Sequence, residues 1–384
     1  MAITGSRVAI IGGGIAGCAT EIALRRLGCR TTVFERSADL RNRGFGIGIP
    51  VPLRQHLIEA GFLTADMPVC GGTTRIWLVP DGDQPLGREV WRQSFVAVTN
   101  NWGILWRTLR AKVPDSAYRG ETAVVSVDDG VVRTDDGWSA ECDLVVGADG
   151  YRSAVRRLVD PAASLSYAGY TLLRGCYPVD RLDELPDMLE SGAITVSFPG
   201  GHLIAYVIPG FDGGKLVNWA IYHAVPWSIG DTAVTDEAMC FLDGLAGELP
   251  PYWADLVRRT ERRELFLQPI YDATLSAYSR DRYVLVGDAG TVVRPHTGGG
   301  AVKALQDAMA LQQAGQAAAS WDEALAAYEK ERLPVNNSIV ALGQRIGQAQ
   351  ILDQPPWGSM TAADFETWMA GQHTYYSQVS NENA

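Results

Sequence analysis

The sequence predicts an α/β protein in which a parallel-sheet domain is interrupted by an inserted β-sheet domain. Three observations carry that reading. Three short apolar runs, Val8–Ile11, Leu144–Val146 and Tyr283–Val286, each lead into a turn rich in glycine or carrying an acid. Between the second and third of these, strand–helix alternation gives way to strands of alternating polarity. At 384 residues, the chain also exceeds what one hydrophobic core usually serves. The expected division is 1–72, 97–165 and 276–350 for the first domain, 73–96 and 166–275 for the second, with 351–384 as a C-terminal extension.

The first apolar run opens a Rossmann-like unit. Arg7–Ile11 reads as a strand, Gly12-x-Gly14-x-x-Gly17 as the turn, Ala16–Leu27 as an amphipathic helix ending at Gly28, and Arg30–Phe34 as a second strand with Glu35 at its tip. Gly12 permits the tight turn, Gly14 lets backbone approach a pyrophosphate, and Gly17 lets helix pack on strand. Ile15 and Ala16 open a helix whose free N–H groups and positive dipole end favour phosphate. Glu35, about twenty residues along, is placed to accept from a ribose 2′-hydroxyl and would repel a 2′-phosphate. The site therefore suits FAD or NAD. Arg36, Arg41 and Arg43 follow as candidate pyrophosphate or nicotinamide-dinucleotide contacts.

The other two turns favour FAD. Leu144–Val146 ends in Gly147-Ala148-Asp149-Gly150, after which Ser153–Leu158 begins a helix bearing Arg156 and Arg157. The third strand delivers Asp288 at its carboxyl end, where α/β sheets place ligand contacts, and Asp288 is expected to bind a ribitol hydroxyl. Pro295 and the run Gly298-Gly299-Gly300 then lead into a helix near Ala301. Its N-terminus would stabilise the negative charge of a reduced flavin without a charged side chain.

The trio in this order resembles the single-component flavoprotein monooxygenases of the para-hydroxybenzoate hydroxylase type, from Val8 to about Leu342. Within that family, Tyr167-Ala168-Gly169-Tyr170, Arg174-Gly175, His202–Tyr206, Pro209-Gly210 and Arg294-Pro295-His296 are similar to the 2,6-dihydroxypyridine 3-hydroxylases. The resemblance implies FAD as cofactor, NADPH or NADH as co-substrate, and O2. It further implies hydroxylation of a phenol or hydroxypyridine-like small molecule through a flavin C4a-hydroperoxide. One position departs from the family. Its helix pattern Arg-x-x-Leu-x-x-x-Leu reads Trp102-x-x-Leu105-x-x-x-Leu109 here, leaving Arg107 or Arg43 as the stand-in. A halogenase or reductase on the same fold is the alternative, as is a non-catalytic FAD- or ligand-binding protein. The tryptophan halogenases carry a WxWxIP stretch and a lysine near the flavin tunnel; this chain lacks the stretch, and its Lys303 falls on the flavin helix instead.

Strands are expected at Thr73–Val79, Arg88–Trp91, Ala193–Phe198, His202–Ile208 and Lys215–Tyr222, with helices at Glu237–Leu245 and Pro251–Thr260. Residues two apart on a strand share a face. His202, Ile204 and Tyr206 therefore point one way, Ala220 and Tyr222 share a face, and Trp219 takes the opposite one. Arg174, Trp219, Tyr222 and His296 are the candidate substrate contacts. Tyr206, His202 and His296 are the candidate catalytic bases. His296 either meets a phenolate or pyridinolate oxygen or holds its loop.

A formal net charge of −11 argues against nucleic-acid binding. No two of the six cysteines form a CxxC, no Cys/His cluster suggests a metal, and neither a leader nor a membrane span is apparent. The expectation is a cytoplasmic monomer or homodimer acting on an aromatic small molecule.

Overall fold

The computed structural model describes residues 1–38, 44–227 and 234–372. Arg7–Ile11 lies inside a six-stranded sheet ordered Ser279–Arg280, Tyr283–Leu285, Leu144–Gly147, Arg7–Ile11, Arg30–Phe34, Tyr118–Arg119. Every pairing is parallel except that of the first two strands. Its central residues, Ile10, Val145, Val146, Val284 and Leu285, are buried without alternation. Cover on both faces explains this. The helices Ile15–Arg26 and Gly299–Ala317 pack side by side, and Trp321 and Tyr328 of the long helix Trp321–Gly347 enter the sheet's core.

The second sheet has eight strands, ordered Leu265–Asp272, Ser166–Pro178, Lys215–His223, Gly201–Pro209, Gly192–Phe198, Cys70–Val79, Arg88–Asn101, Gly46–Pro50. One face packs on the helices Asp236–Ala246 and Pro251–Arg258 through Val196, Leu203, Val217, Trp219 and Ile221. The other face looks into a cleft. Arg88–Asn101 runs ten residues past the expected Trp91 and leads directly into the helix Trp102–Arg110. The glycine-rich Gly46–Pro50 has little strand propensity of its own. It becomes a strand because Arg88–Asn101 offers it an unpaired edge.

A three-stranded meander, Val124–Asp128, Val131–Thr134 and Ser139–Glu141, sits in the chain between strands Tyr118–Arg119 and Leu144–Gly147 of the six-stranded sheet. The helix Ala362–Gln372 buries Phe365 and Met369 against Trp77 and Trp357. Among the described residues, no helix is long and apolar enough to cross a membrane.

Candidate functional site

A cleft of about 2060 Å³ runs from the carboxyl ends of the parallel strands to the open face of the large sheet. At its nucleotide end, Gly12 has a φ of 106°, and a Cβ there would strike the Ala148 carbonyl. A Cβ at Gly17 would overlap the Gly12 carbonyl oxygen. These two glycines serve the protein's own packing. Gly14 and Gly300 do not, since nothing in the chain lies within 4 Å of a Cβ built on either, and both line the cleft. That open space is what close approach of a ligand to backbone requires.

Glu35 is buried and accepts from the Gly13 N–H at 2.8 Å and from the Ser37 N–H at 2.8 Å, one on each carboxylate oxygen. Each oxygen keeps a lone pair for a ribose hydroxyl. The first-turn N–H groups of Gly299–Ala317 follow a left-handed Gly298 and meet the same cleft. Two carboxylate oxygens, Asp149 Oδ1 and Asp288 Oδ1, are buried without any partner. Burial pushes both carboxyls up from their usual range, against the pull of nearby donors and of Arg156 and Lys303. Orphaned acceptors beside vacant glycine backbone fit the hydroxyl-rich ribitol and ribose of FAD.

The turns are tied together by residues whose role the motifs alone do not disclose. Arg156 donates from Nε to the carbonyls of Ala289 (2.9 Å) and Gly290 (3.2 Å), from Nη2 to that of Asp288, and from Nη1 to that of Tyr151 (2.7 Å). Lys303 is fully buried, its Nζ 2.6 Å from the Gly287 carbonyl and 3.5 Å from Asp307 Oδ2. Asp307 accepts from Gly287 N–H and from Arg332. Burial disfavours its charge, but Lys303 and Arg332 hold its carboxyl below the usual range. The Gly287-Asp288 turn is thus clamped from two sides.

The position that departs from the family pattern is also resolved. Trp102 lines the cleft, and Trp106, one turn on, donates from Nε1 to the Gly13 carbonyl at 2.8 Å. Arg107 does not line the cleft; its guanidinium lies 4.1 Å from the centroid of the Phe211 ring. Arg43 and Arg41 fall outside the described residues, while Arg36 lines the cleft.

The substrate end is an aromatic wall. His202 pairs across the sheet with Tyr222, their rings stacked at 4.7 Å, and His296 stacks on the same Tyr222 at 4.2 Å. His296 Nε2 is 2.8 Å from the Tyr170 hydroxyl, which also accepts from Arg294 Nη1 at 3.2 Å. Arg294 in turn forms a buried ion pair with Asp272 at 2.6 Å, and Asp272 accepts from Gln344. Tyr170, unlike Arg174, carried no sequence expectation. The two are four residues apart on Ser166–Pro178, but the pairing of that strand shifts register between Tyr167 and Thr171, so alternation counted from Arg174 does not by itself orient Tyr170.

Arg174 faces Tyr206 and Asn218, stacks 3.9 Å above the Phe45 ring, and leaves Nε buried without a partner. Burial pushes Tyr206 to about 12, although Arg174 pulls it down. It pushes His202 down to about 3, and His296 well below its usual value, with the cationic Arg75 adding to both.

Almost every expected site residue lines this one cleft: Gly12, Gly14, Ile15, Ala16, Glu35, Arg36, Asp149, Asp288, Pro295, Gly298, Gly299, Gly300, Ala301, Arg174, His202, Tyr206, Tyr222 and His296. Trp219 is a correction. It is fully buried on the opposite face, and its Nε1 donates to Thr260 Oγ1 at 2.9 Å, so the core holds it away from the cleft. Its parity, opposite to Tyr222, already separated the two. Gly17 acts from beneath, in helix packing. Among the described residues, no group of histidine, cysteine and acidic side chains could hold a metal.

Two family models match the chain: Pyridine nucleotide-disulphide oxidoreductase over residues 7–62, and FAD binding domain over 217–342. A 3-amino-4-hydroxybenzoate 2-monooxygenase of Streptomyces platensis is 31% identical over 349 residues, covering 85% of this chain and 84% of that protein. The 2,6-dihydroxypyridine 3-monooxygenase of Paenarthrobacter nicotinovorans is 28% identical, with 82% and 83% covered. The solved 2,6-dihydroxypyridine-3-hydroxylase of Arthrobacter nicotinovorans superposes with a TM-score of 0.80 at 24% identity, over 93% of this chain and 95% of that one. With the geometry of the cleft, these likenesses place the chain in the family of FAD-dependent aromatic monooxygenases.

Proposed function

We propose that this monooxygenase hydroxylates a small electron-rich ring, a phenol or hydroxypyridine, at the wall formed by His202, Tyr222 and His296. The carrying observation is the stack of His296 on Tyr222 at 4.2 Å, in the loop that leads into the helix Gly299–Ala317. A flat ring entering there meets aromatic faces and lies next to the helix N-terminus that receives the flavin. Bound there, FAD would supply the redox chemistry, the uptake of hydride from NAD(P)H and the transfer of one oxygen atom of O2 to the ring.

The chain's own task is to bind, orient and exclude water. Gly14, Asp149 and Asp288 hold the cofactor's polar chain, while Arg156 and Lys303 keep those turns in place. The aromatic wall fixes the ring plane and dries the reacting edge. Tyr206, held near 12, keeps its proton and acts as a donor. His202, held near 3, stays neutral at working pH. Lys303 is committed to Gly287 and Asp307, which supports oxygenation over the halogenase reading.

The test is NADH and NADPH oxidation by FAD-loaded protein, with and without a panel of phenols and hydroxypyridines, following H2O2 alongside. Ligand-stimulated oxidation with little H2O2, and a product heavier by one oxygen, is the expected result. FAD binding with no stimulation by any member of the panel overturns this substrate class.

A further inference from the structure

We infer that the substrate's ring carries a neutral carboxamide, and that Thr195, His202 and Gln350 form the subsite that receives it, beside the aromatic wall. This rests on the hydroxylase reading above and narrows its substrate class.

The strand Gly192–Phe198 turns Ile194 and Val196 into the core beneath the helices, so Ala193, Thr195 and Ser197 face the cleft. Ser197 is already engaged, its Oγ accepting from Trp77 Nε1 at 2.6 Å. Thr195 is not. It is 2% exposed, it lines the cleft, and its Oγ1 has no partner. Valine would fill the same volume and suit a strand as well, without the cost of an unpaired buried hydroxyl. His202 repeats the pattern, with Nδ1 buried and unpartnered. Thr195 pairs with Ile204 and Ser197 with His202, which makes Thr195 and His202 diagonal neighbours on one face, about 7–8 Å apart. One planar substituent spans that distance with a hydrogen bond at each end.

The third member comes from outside the sheet. Gln350 lies in the π-helical turn Gln348–Leu352 that follows the long helix Trp321–Gly347. It is buried and lines the cleft. Its backbone carbonyl accepts from Gln354 Nε2, which also donates to the Gly201 carbonyl beside His202 at 3.1 Å. Ile351 joins Tyr222 in one buried cluster, which seats this turn against the same wall. Short side chains leave the room. Ala193, two residues before Thr195, and Ala220, opposite Ile204, also line the cleft.

The three side chains are neutral. Burial keeps His202 uncharged, Thr195 offers a hydroxyl and Gln350 an amide. Together they meet a group that both donates and accepts. A carboxylate only accepts, and would leave the lone pairs of Gln350 and His202 unmet. Arg75, which stands opposite Ala193 on the adjoining strand, makes a carboxylate the rival ligand.

The probes are the three hydroxybenzamides, the matching hydroxybenzoates and the matching cresols, titrated into FAD-loaded protein and followed by the change in flavin absorbance. One hydroxybenzamide isomer should bind at least tenfold tighter than both its cresol and its hydroxybenzoate. Thr195→Val, which keeps the shape and removes the hydroxyl, should bring the benzamide-to-cresol ratio close to one at equal FAD content. Thr195→Ser, which keeps the hydroxyl, should retain most of the ratio, and Gln350→Met should lower it several-fold.

Benzamides that bind no better than their cresols overturn the inference. So does a Thr195→Val protein that binds both more weakly by the same factor, the mark of a merely structural threonine. Tighter binding of a hydroxybenzoate gives the subsite to an anion and overturns it too. Cresol-stimulated NAD(P)H oxidation in any of these cases leaves the hydroxylase reading standing. If no member of the three series binds or stimulates oxidation, the inference and the reading beneath it fall together.

Discussion

Arg156 donates to the Ala289 carbonyl at 2.9 Å across 133 positions of sequence, joining the second glycine-rich turn to the third. Together with its bonds to Asp288, Gly290 and Tyr151, this makes one buried guanidinium the fastener of the cofactor's cradle.

Replacing Arg156 with leucine should therefore damage both stability and FAD retention. Each buried carbonyl left without a donor costs about 1–3 kcal/mol. Arg156→Leu should melt well below the parent and lose FAD on gel filtration, with Arg156→Lys between them. A variant that keeps its FAD and its Tm would show that the carbonyls find other donors.

Two glycines of the first motif should respond differently. Gly17→Ala places a methyl against the Gly12 carbonyl and should destabilise the protein even without cofactor. Gly14→Ala meets open space, so thermal unfolding of the cofactor-free protein should be unchanged. Its FAD affinity should nonetheless fall roughly tenfold, the scale of one lost hydrogen bond to a charged group. Fluorescence titration of FAD alongside the melting curves separates the two effects.

His202 makes the protein sensitive to acid. Burial, with Arg75, lowers its pKa from 6.5 to about 3, so the native state binds fewer protons than the unfolded chain between those values. Stability is then lost as pH falls below 6.5, by about 1.4 kcal/mol per unit, until the native group also titrates near 3. His202→Gln has no such term. In chemical unfolding at pH 7.5 and pH 5, the parent should lose on the order of 2 kcal/mol more than the variant. Equal losses would place the acid sensitivity elsewhere.

Lys303 and Asp307 should be coupled. Both are fully buried, and Asp307 also holds Arg332. Lys303→Met leaves Asp307 short of one counter-charge and should destabilise by about 3–5 kcal/mol, the usual result of removing one partner of a buried pair. Lys303→Gln, which still donates to the Gly287 carbonyl, should recover part of that loss. Urea unfolding of the three proteins reads the difference from the shift in midpoint.

The parts of this protein that sequence determined by itself are those set by local sterics and alternation. The three strand-ends, Gly12, Gly17, the acid at Glu35 and the helices after each turn follow from which residues tolerate a tight turn or close approach. Alternation along Gly201–Pro209 and Lys215–His223 put His202 and Tyr206 on one face, and Tyr222 opposite in direction to Trp219. It could not say which face met the cleft. Only the helices Asp236–Ala246 and Pro251–Arg258 decided that, by burying Trp219 beneath them. The same holds for Gly46–Pro50, made a strand by its neighbour's edge, and for Trp106, which meets Gly13 across 93 positions. Arg156 on Ala289 and Tyr170 on His296 are likewise contacts across more than a hundred residues. Burial and hydrogen-bond pairing between distant segments leave no periodic mark in a chain, so the partner each buried donor finds is settled only when the elements pack.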